Sequence, residues 1–232
     1  MKHRLTLTQI RDSLPEEKHI EDKATYSSYY IMRVSAVYPA WFALRLGISA
    51  NQITVMAFLA GLAGCFIFAT GNYTLAIIAI IIFFIRDLLD FVDGTVARAT
   101  KTTTKQGMYL DRVCDDIMGM LIPIAIGIGI SMISLGLTLA LLHAGNALLI
   151  SEGDYAFPNS GNIYRTKAKG LWRLVYIVGV NIQSLSIPML LVAVLTYSLP
   201  IYLYFYISWA GCELIAIVGK RLWSSREQEK KQ

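Results

Sequence analysis

TLAIIAIIIFFIRDLLDFVDGTVAR, residues 74–98, decides how this chain folds. Its first half is an unbroken apolar run, and its second half carries Asp87, Asp90 and Asp93 three residues apart. An α-helix needs about 20 mostly apolar residues to cross a bilayer. A continuous apolar run, unlike strict alternation, points to such a helix rather than to a barrel strand, because a helix satisfies its own backbone hydrogen bonds. Aspartates near the end of such a segment cost about 2.5–3.5 kcal/mol each even on the lenient insertion scale. Carboxylates at that depth are expected to serve a function.

The composition around this stretch is of the same kind. The chain of 232 residues is 55% apolar and only 16% charged, against roughly 25% charged in soluble domains. Six stretches qualify as spans: Ile53 to Thr70, Thr74 to Arg98, Met108 to Ile133, Leu135 to Glu152, Val175 to Tyr197 and Ile201 to Leu222. The fold class is therefore all-α, a polytopic membrane protein with six transmembrane helices. No Gly/Ser-rich or Pro-rich linker separates a second folding unit. One transmembrane domain over 53–222 is expected, between a cytoplasmic N-terminal segment, 1–52, and a cytoplasmic basic tail, 223–232. Within the N-terminal segment, Tyr26 to Gly47 is apolar but interrupted by Arg33, Pro39 and Arg45. That pattern suits an amphipathic helix lying in the membrane interface better than a seventh span. The first 25 residues lack the basic-then-apolar order of a cleaved signal peptide. Cys65, Cys114 and Cys212 show no metal-type spacing, and neither a disulfide framework nor a zinc site is implied.

Orientation follows from Lys and Arg, which stay on the cytoplasmic side. The turns near Gly71 to Tyr73, Ser131 to Leu137 and Ser198 to Pro200 contain neither. The opposite side collects Arg98, Lys101, Lys105, Arg165, Lys167, Lys169, Arg173 and the basic residues of both ends. Both termini are expected in the cytoplasm and the protein in the plasma (inner) membrane. A net charge of +5 is explained by this bias and calls for no nucleic acid.

The next span opens GMYLDRVCDDIMGM, residues 107–120. Asp90 and Asp93 are three apart and Asp111 and Asp115 four apart, so each pair shares one helical face near the cytoplasmic end. Two helices joined by a short loop bring the pairs together, and four facing carboxylates repel unless cations sit between them. Hard oxygen ligands without His or Cys point to Mg2+ or Mn2+ rather than zinc. Gly94, Ala97 and Gly107 leave space for a ligand on the same faces, or alternatively allow close helix packing. Asp87 is expected beside Arg86 or Arg112, Asp116 is rotated away from Asp115, and His143, beside Asn146, reads as a buried polar contact between helices.

The arrangement D-x2-D-G-x2-A-R-x8-G-x3-D-x3-D, met by Asp90, Asp93, Gly94, Ala97, Arg98, Gly107, Asp111 and Asp115, resembles the signature of the CDP-alcohol phosphotransferase family. Eight fixed positions arise by chance at a given start on the order of once in 10^9 at ordinary residue usage. Asn51 to Thr54 also looks like the family's Pro-Asn-x-x-Thr segment, with Ala50 in place of the proline. The resemblance implies a six-helix fold, a homodimer, and transfer of a phosphatidyl group from CDP-diacylglycerol to a polar alcohol with release of CMP in phospholipid biosynthesis. It implies two metal ions held by Asp90, Asp93, Asp111 and Asp115, with Asp115 also the general base, and a CDP site formed by Gly94, Ala97, Arg98 and Gly107. Asn51 and Thr54 read equally as base or ribose contacts and as cap and first-turn residues.

For the acceptor, the loop GNIYRTKAKGLWR offers Arg165, Lys167, Lys169 and Arg173, which suit a phosphate-bearing alcohol such as glycerol phosphate or inositol phosphate. The same residues are expected of any cytoplasmic loop. The family also contains enzymes that transfer a CDP-linked head group to a lipid alcohol. A cation transporter would place its acids nearer the bilayer midplane on broken, repeated helices, and no repeat is evident.

Overall fold

The computed structural model describes residues 5–14, 32–156 and 171–229. The described residues are helical throughout, with no strand. In chain order the helices are α1 (Leu7–Asp12), α2 (Val34–Leu46), α3 (Ala50–Ala69), α4 (Tyr73–Ala99), α5 (Lys105–Gly129), α6 (Ile133–Ala156), α7 (Leu171–Ser184), α8 (Ser186–Leu195) and α9 (Leu199–Glu229). Ala50–Ala69, Ile133–Gly153 and Leu199–Trp223 are long and apolar enough to cross a membrane. α4 and α5 are 27 and 25 residues long, ample for a crossing at 1.5 Å per residue, but their charged ends keep them from qualifying on composition. The run 175–197, read as one continuous span, is instead two helices, α7 and α8, bent by 49°. Pro188 explains the break: it has no N–H to give the carbonyl of Ser184, and its ring crowds that turn.

Local sequence sets the helix ends. Ser49 caps α3 through a capping box, its Oγ accepting from the Gln52 amide while the Gln52 side chain accepts from the Ser49 N–H at 2.9 Å. Asn72 caps α4 and Thr104 caps α5 in the same manner, by accepting from Leu75 and Gly107 amides. Such caps contribute about 1 kcal/mol each. α4 ends in a left-handed residue, Lys101 at φ 56°, with Thr102 N–H donating to Ala97 O and Lys101 N–H to Arg98 O. This paired closure reverses the chain within a few residues, which returns α5 alongside α4.

α3 is the common partner: it packs on both α4 and α5, while α5 continues onto α6 and α6 onto α9. Phe68, Ile80, Phe83, Met118, Ile126, Leu139, Leu190 and Leu203 form the main core between these helices. A second cluster, Ile10, Ala36, Ala40, Ile53, Val92 and Val96, fixes α1 and α2 against the C-terminal part of α4. α2 is apolar on both sides rather than split into polar and apolar faces: Ala36 and Ala40 are buried while Val34, Tyr38, Phe42 and Leu46 are exposed. The outer surface is similarly apolar, with Phe66, Leu141, Ile201 and Ile215 at least 70% exposed, as a hydrocarbon solvent allows.

Glycine permits close helix approach in the core. A Cβ at Gly64 of α3 would stand 2.6 Å from the Phe83 ring of α4. Gly64→Ala is expected to destabilise the fold by about 1–3 kcal/mol, the usual cost of overpacking. Thermal unfolding in detergent would show the loss, and Phe83→Leu in the same chain should restore much of it; an unchanged midpoint for the single variant would refute the packing assignment.

Candidate active site

The acidic site forms where α3 wedges between the ends of α4 and α5. Because Ser49 does the capping, Asn51 and Thr54 are left to face the neighbouring helices. Thr54 Oγ1 donates to Asp93 Oδ2 at 2.6 Å in a buried setting, and Asp93 itself is 6% exposed. Asn51 lies against α5 so closely that a Cβ at Gly107 would come 3.0 Å from its Oδ1. Both residues therefore tie α3 to the acid-bearing helices.

Asp90, Asp93 and Asp111 each present a carboxylate oxygen within 4.8 Å of the other two. The donor set is all oxygen, the kind that hard divalent cations take. Opposite oxygens around one six-coordinate Mg2+ are about 4.2 Å apart, from bonds of roughly 2.1 Å. A spread of up to 4.8 Å thus fits cation binding with little closure, and the residues present suit such an ion. Asp115 lies outside this trio. Its carboxylate accepts from Arg86 Nη2, while Arg86 Nη1 donates to Asp87 at 2.9 Å. The Arg86 side chain is 14% exposed, and Gly61 of α3 leaves room for its stem, with a Cβ there only 3.5 Å from Arg86 Cγ. The expected pairing of Asp87 with Arg86 is present; the link from Arg86 to Asp115 was not legible from spacing along either helix.

Farther along α4, the guanidinium of Arg98 folds back over Gly94, where a Cβ would stand 3.1 Å from both terminal nitrogens. Ala97 lies on the adjoining turn, its carbonyl taken by Thr102. Arg173 is exposed at the start of α7, whereas Arg165, Lys167 and Lys169 lie outside the described residues.

On the other side of Asp115 a cavity of about 360 Å³ runs into the helix bundle. Arg86, Asp87, Asp115, His143, Gln183 and Glu213 line its polar end. Its walls deeper in are apolar, including Ile126, Leu139 and Leu190. Gln183 Nε2 donates to both Glu213 oxygens at 3.0 and 3.2 Å, and Asn146 Nδ2 donates to Glu213 at 3.4 Å and to Ala210 O at 3.3 Å. Sequence reading passed over Gln183 and Glu213. The available signal was an ionisable residue inside an apolar span, by itself a reason to suspect a site.

Residues 47–218 match the CDP-alcohol phosphatidyltransferase family. The chain belongs to that family. Among curated proteins it is similar to an archaetidylinositol phosphate synthase from Pyrococcus horikoshii, with 37% identity over 84 residues, 36% of this chain and 43% of the relative. The chain thus matches less than half the relative's length. Membership in the CDP-alcohol phosphatidyltransferase family, with three helices apolar enough to cross a membrane, makes this an integral membrane protein. As a family member it places the signature residues together at one end of the bundle, with the acids on facing turns.

Gly94→Ala tests the placement of Arg98. The added methyl meets only the mobile end of that side chain, and alanine favours a helix over glycine by about 1 kcal/mol. Thermal stability should hold while affinity for a cytidine nucleotide falls, and a calorimetric titration with CMP giving wild-type affinity would contradict the assignment.

Proposed function

We propose that this protein is a metal-dependent transferase that moves a phosphatidyl group from CDP-diacylglycerol to a polar alcohol and releases CMP. The observation that carries the reading is the converging Asp90, Asp93 and Asp111 trio, with Asp93 buried and the other two half-buried, beside the signature glycines and Arg98. Asp90, Asp93 and Asp111 would hold two Mg2+ or Mn2+ ions together with Asp115, and these would supply charge neutralisation for the diphosphate and the departing CMP. Gly94, Ala97, Arg98 and Gly107, joined by Asn51, form the CDP pocket, where the absence of side chains at Gly94 and Gly107 admits the nucleotide. Thr54 keeps one Asp93 oxygen engaged and so orients the other. Arg98 offers a planar fork suited to a phosphate.

The reaction is one displacement. The acceptor hydroxyl oxygen forms a bond to the phosphorus that bears diacylglycerol, the bond from that phosphorus to the bridging oxygen of the diphosphate breaks, and CMP departs with the electron pair. Asp115 takes the hydroxyl proton. Its contact with Arg86 holds the carboxylate at the cavity side of the site. The name of the Pyrococcus horikoshii relative, a synthase of a phospholipid, supports a lipid product. Six spans with both termini in the cytoplasm are supported by the one-sided distribution of Lys and Arg; the plasma membrane, an N-terminal helix at the interface and a homodimer, the last on family resemblance alone, complete the reading.

Purified protein given CDP-diacylglycerol and an alcohol panel should release CMP only with divalent metal, and EDTA should stop turnover reversibly. Undiminished product in EDTA would remove the metal mechanism. Asp115→Asn should lower kcat by at least about 100-fold, the lower range for a lost general base, while CMP still binds; near-normal turnover would show that another group takes the proton. Thr54→Ala removes a hydrogen bond to a charged group worth about 1.5–3 kcal/mol. A drop of about 10- to 100-fold in kcat/KM at fixed metal is expected, with Thr54→Ser largely restoring it.

A further inference from the structure

Arg86 lies outside the eight fixed positions of the signature, yet it stands inside the acidic site. On α4 it comes one turn before Asp90, and on α5 Asp115 comes one turn after Asp111, so the guanidinium and the fourth acid meet at one level of facing helices. The guanidinium spans two carboxylates, Nη1 donating to Asp87 Oδ1 at 2.9 Å and Nη2 to Asp115 Oδ1. Its stem is held between α3 and α5: a Cβ at Gly61 would stand 3.5 Å from Arg86 Cγ and 2.9 Å from Met118 Sδ. A guanidinium keeps its charge at any ordinary pH, and its planar fork fixes both contacts at once. Arg86 is thus a permanent positive charge built into one side of the acidic cluster, while Asp90, Asp93 and Asp111 converge on one another at the other.

We propose that Arg86 is a positioning residue that serves Asp115 as an internal cation, so that the protein without nucleotide takes one divalent ion, at Asp90, Asp93 and Asp111, and a second only once a diphosphate is bound. The inference rests on the metal-dependent reading above. Oxygens of the trio lie close enough for one ion to gather. Asp115 differs, because one of its oxygens already accepts from Arg86. A divalent ion on its other oxygen would sit beside a guanidinium of like sign, inside the bundle where water screens less than at a surface. A second ion therefore competes with Arg86 for the same negative charge. The balance changes when a diphosphate arrives, since its own negative charge offsets the repulsion and its oxygens are further ligands of the kind such ions take. Removing the guanidinium removes the competition. It also leaves the half-buried Asp87 and Asp115 without their counter-charge, which favours a cation there still more.

Ion counts test this apart from turnover. Metal-free full-length protein in detergent would be titrated with Mn2+, and the bound ions counted by calorimetry and by electron paramagnetic resonance. Two ions about 3.5–4 Å apart broaden each other's signal, whereas a single ion keeps a resolved hyperfine pattern. Wild type should bind one equivalent with a resolved pattern, and two with a broadened one after CDP is added. Arg86→Gln should bind two without nucleotide, the second with a Kd at least about tenfold below the wild-type value for a second ion, the lower range for changing a group around a metal ligand. Arg86→Lys, which keeps the charge, should return the count to one, a dependence on charge that a merely structural role would not show. Where Arg86→Gln alone fails to fold, the double variant Arg86→Gln, Asp87→Asn leaves fewer acids uncovered and should give the same count of two. Two equivalents in wild type without CDP, a single equivalent after CDP, or a count that does not follow the charge at position 86 would overturn the proposal and leave the transferase reading standing. No bound Mn2+ in any of these proteins would remove the metal site itself, and the metal-dependent reading with it.

Discussion

Three carboxylate oxygens within 4.8 Å of one another, at the end of a helix bundle with an apolar exterior, set the constraint that the surrounding structure answers. At an effective dielectric of about 20, two unit charges at that separation repel by roughly 3 kcal/mol. Three such pairs amount to a large fraction of the stability of an ordinary domain. The fold must therefore impose the cluster by packing rather than rely on the acids to associate. α3 does this by touching both acid-bearing helices, with Thr54 fastening Asp93 and Asn51 lying against Gly107.

The same helices that present the acids also build the core directly below them. On α4, Ala79, Ile80 and Phe83 are at most 3% exposed, and the next residue pointing into the site is Arg86. On α5, Met118 is buried one turn beyond Asp115, and it fills the space left by Gly61 of α3. Phe68 stacks on Phe83 with ring centroids 6.4 Å apart. A floor of close-packed side chains in fixed rotamers resists small displacements. That rigidity transmits to the turns above, so the carboxylates keep their mutual distances although their charges oppose it.

Spacing along a helix reveals which residues share a face, and this made the acids, Gly94 and Arg98 legible before any coordinates. It does not reveal which face meets which neighbour. Asn51 and Thr54 were ambiguous for that reason; Ser49 and Gln52 form the cap, so capping is not what those two residues do. Arg86 serves two carboxylates, one on its own helix and one on α5, a pairing that sequence distance hides. The break at Leu185 was hidden inside a run whose hydropathy alone reads as one span, although Pro188 marked it. Gln183 and Glu213 come from helices 30 residues apart in sequence. Single polar residues in apolar runs carry little information until a partner is seen.

One consequence of helix periodicity bears on mechanism. Along α4 the order is Arg86 and Asp87, then Asp90 and Asp93, then Gly94 and Arg98; along α5, in the reverse direction, it is Asp115, then Asp111, then Gly107. The two helices thus carry matching strata. Asp115, Arg86 and the cavity lie at one level, Asp90, Asp93 and Asp111 at the next, and Gly94, Arg98 and Gly107 at the third, with about 12 Å of rise separating Arg86 from Gly94. Displacement at phosphorus calls for the attacking and leaving oxygens to lie roughly in line on opposite sides. A layered site meets that demand if the hydroxyl approaches from the level of Asp115 while CMP departs toward Arg98. The contact between Arg86 and Asp115 fits the role proposed for that carboxylate: it holds Asp115 at the cavity side of the acidic cluster, so that a proton would be taken on the side from which the acceptor arrives.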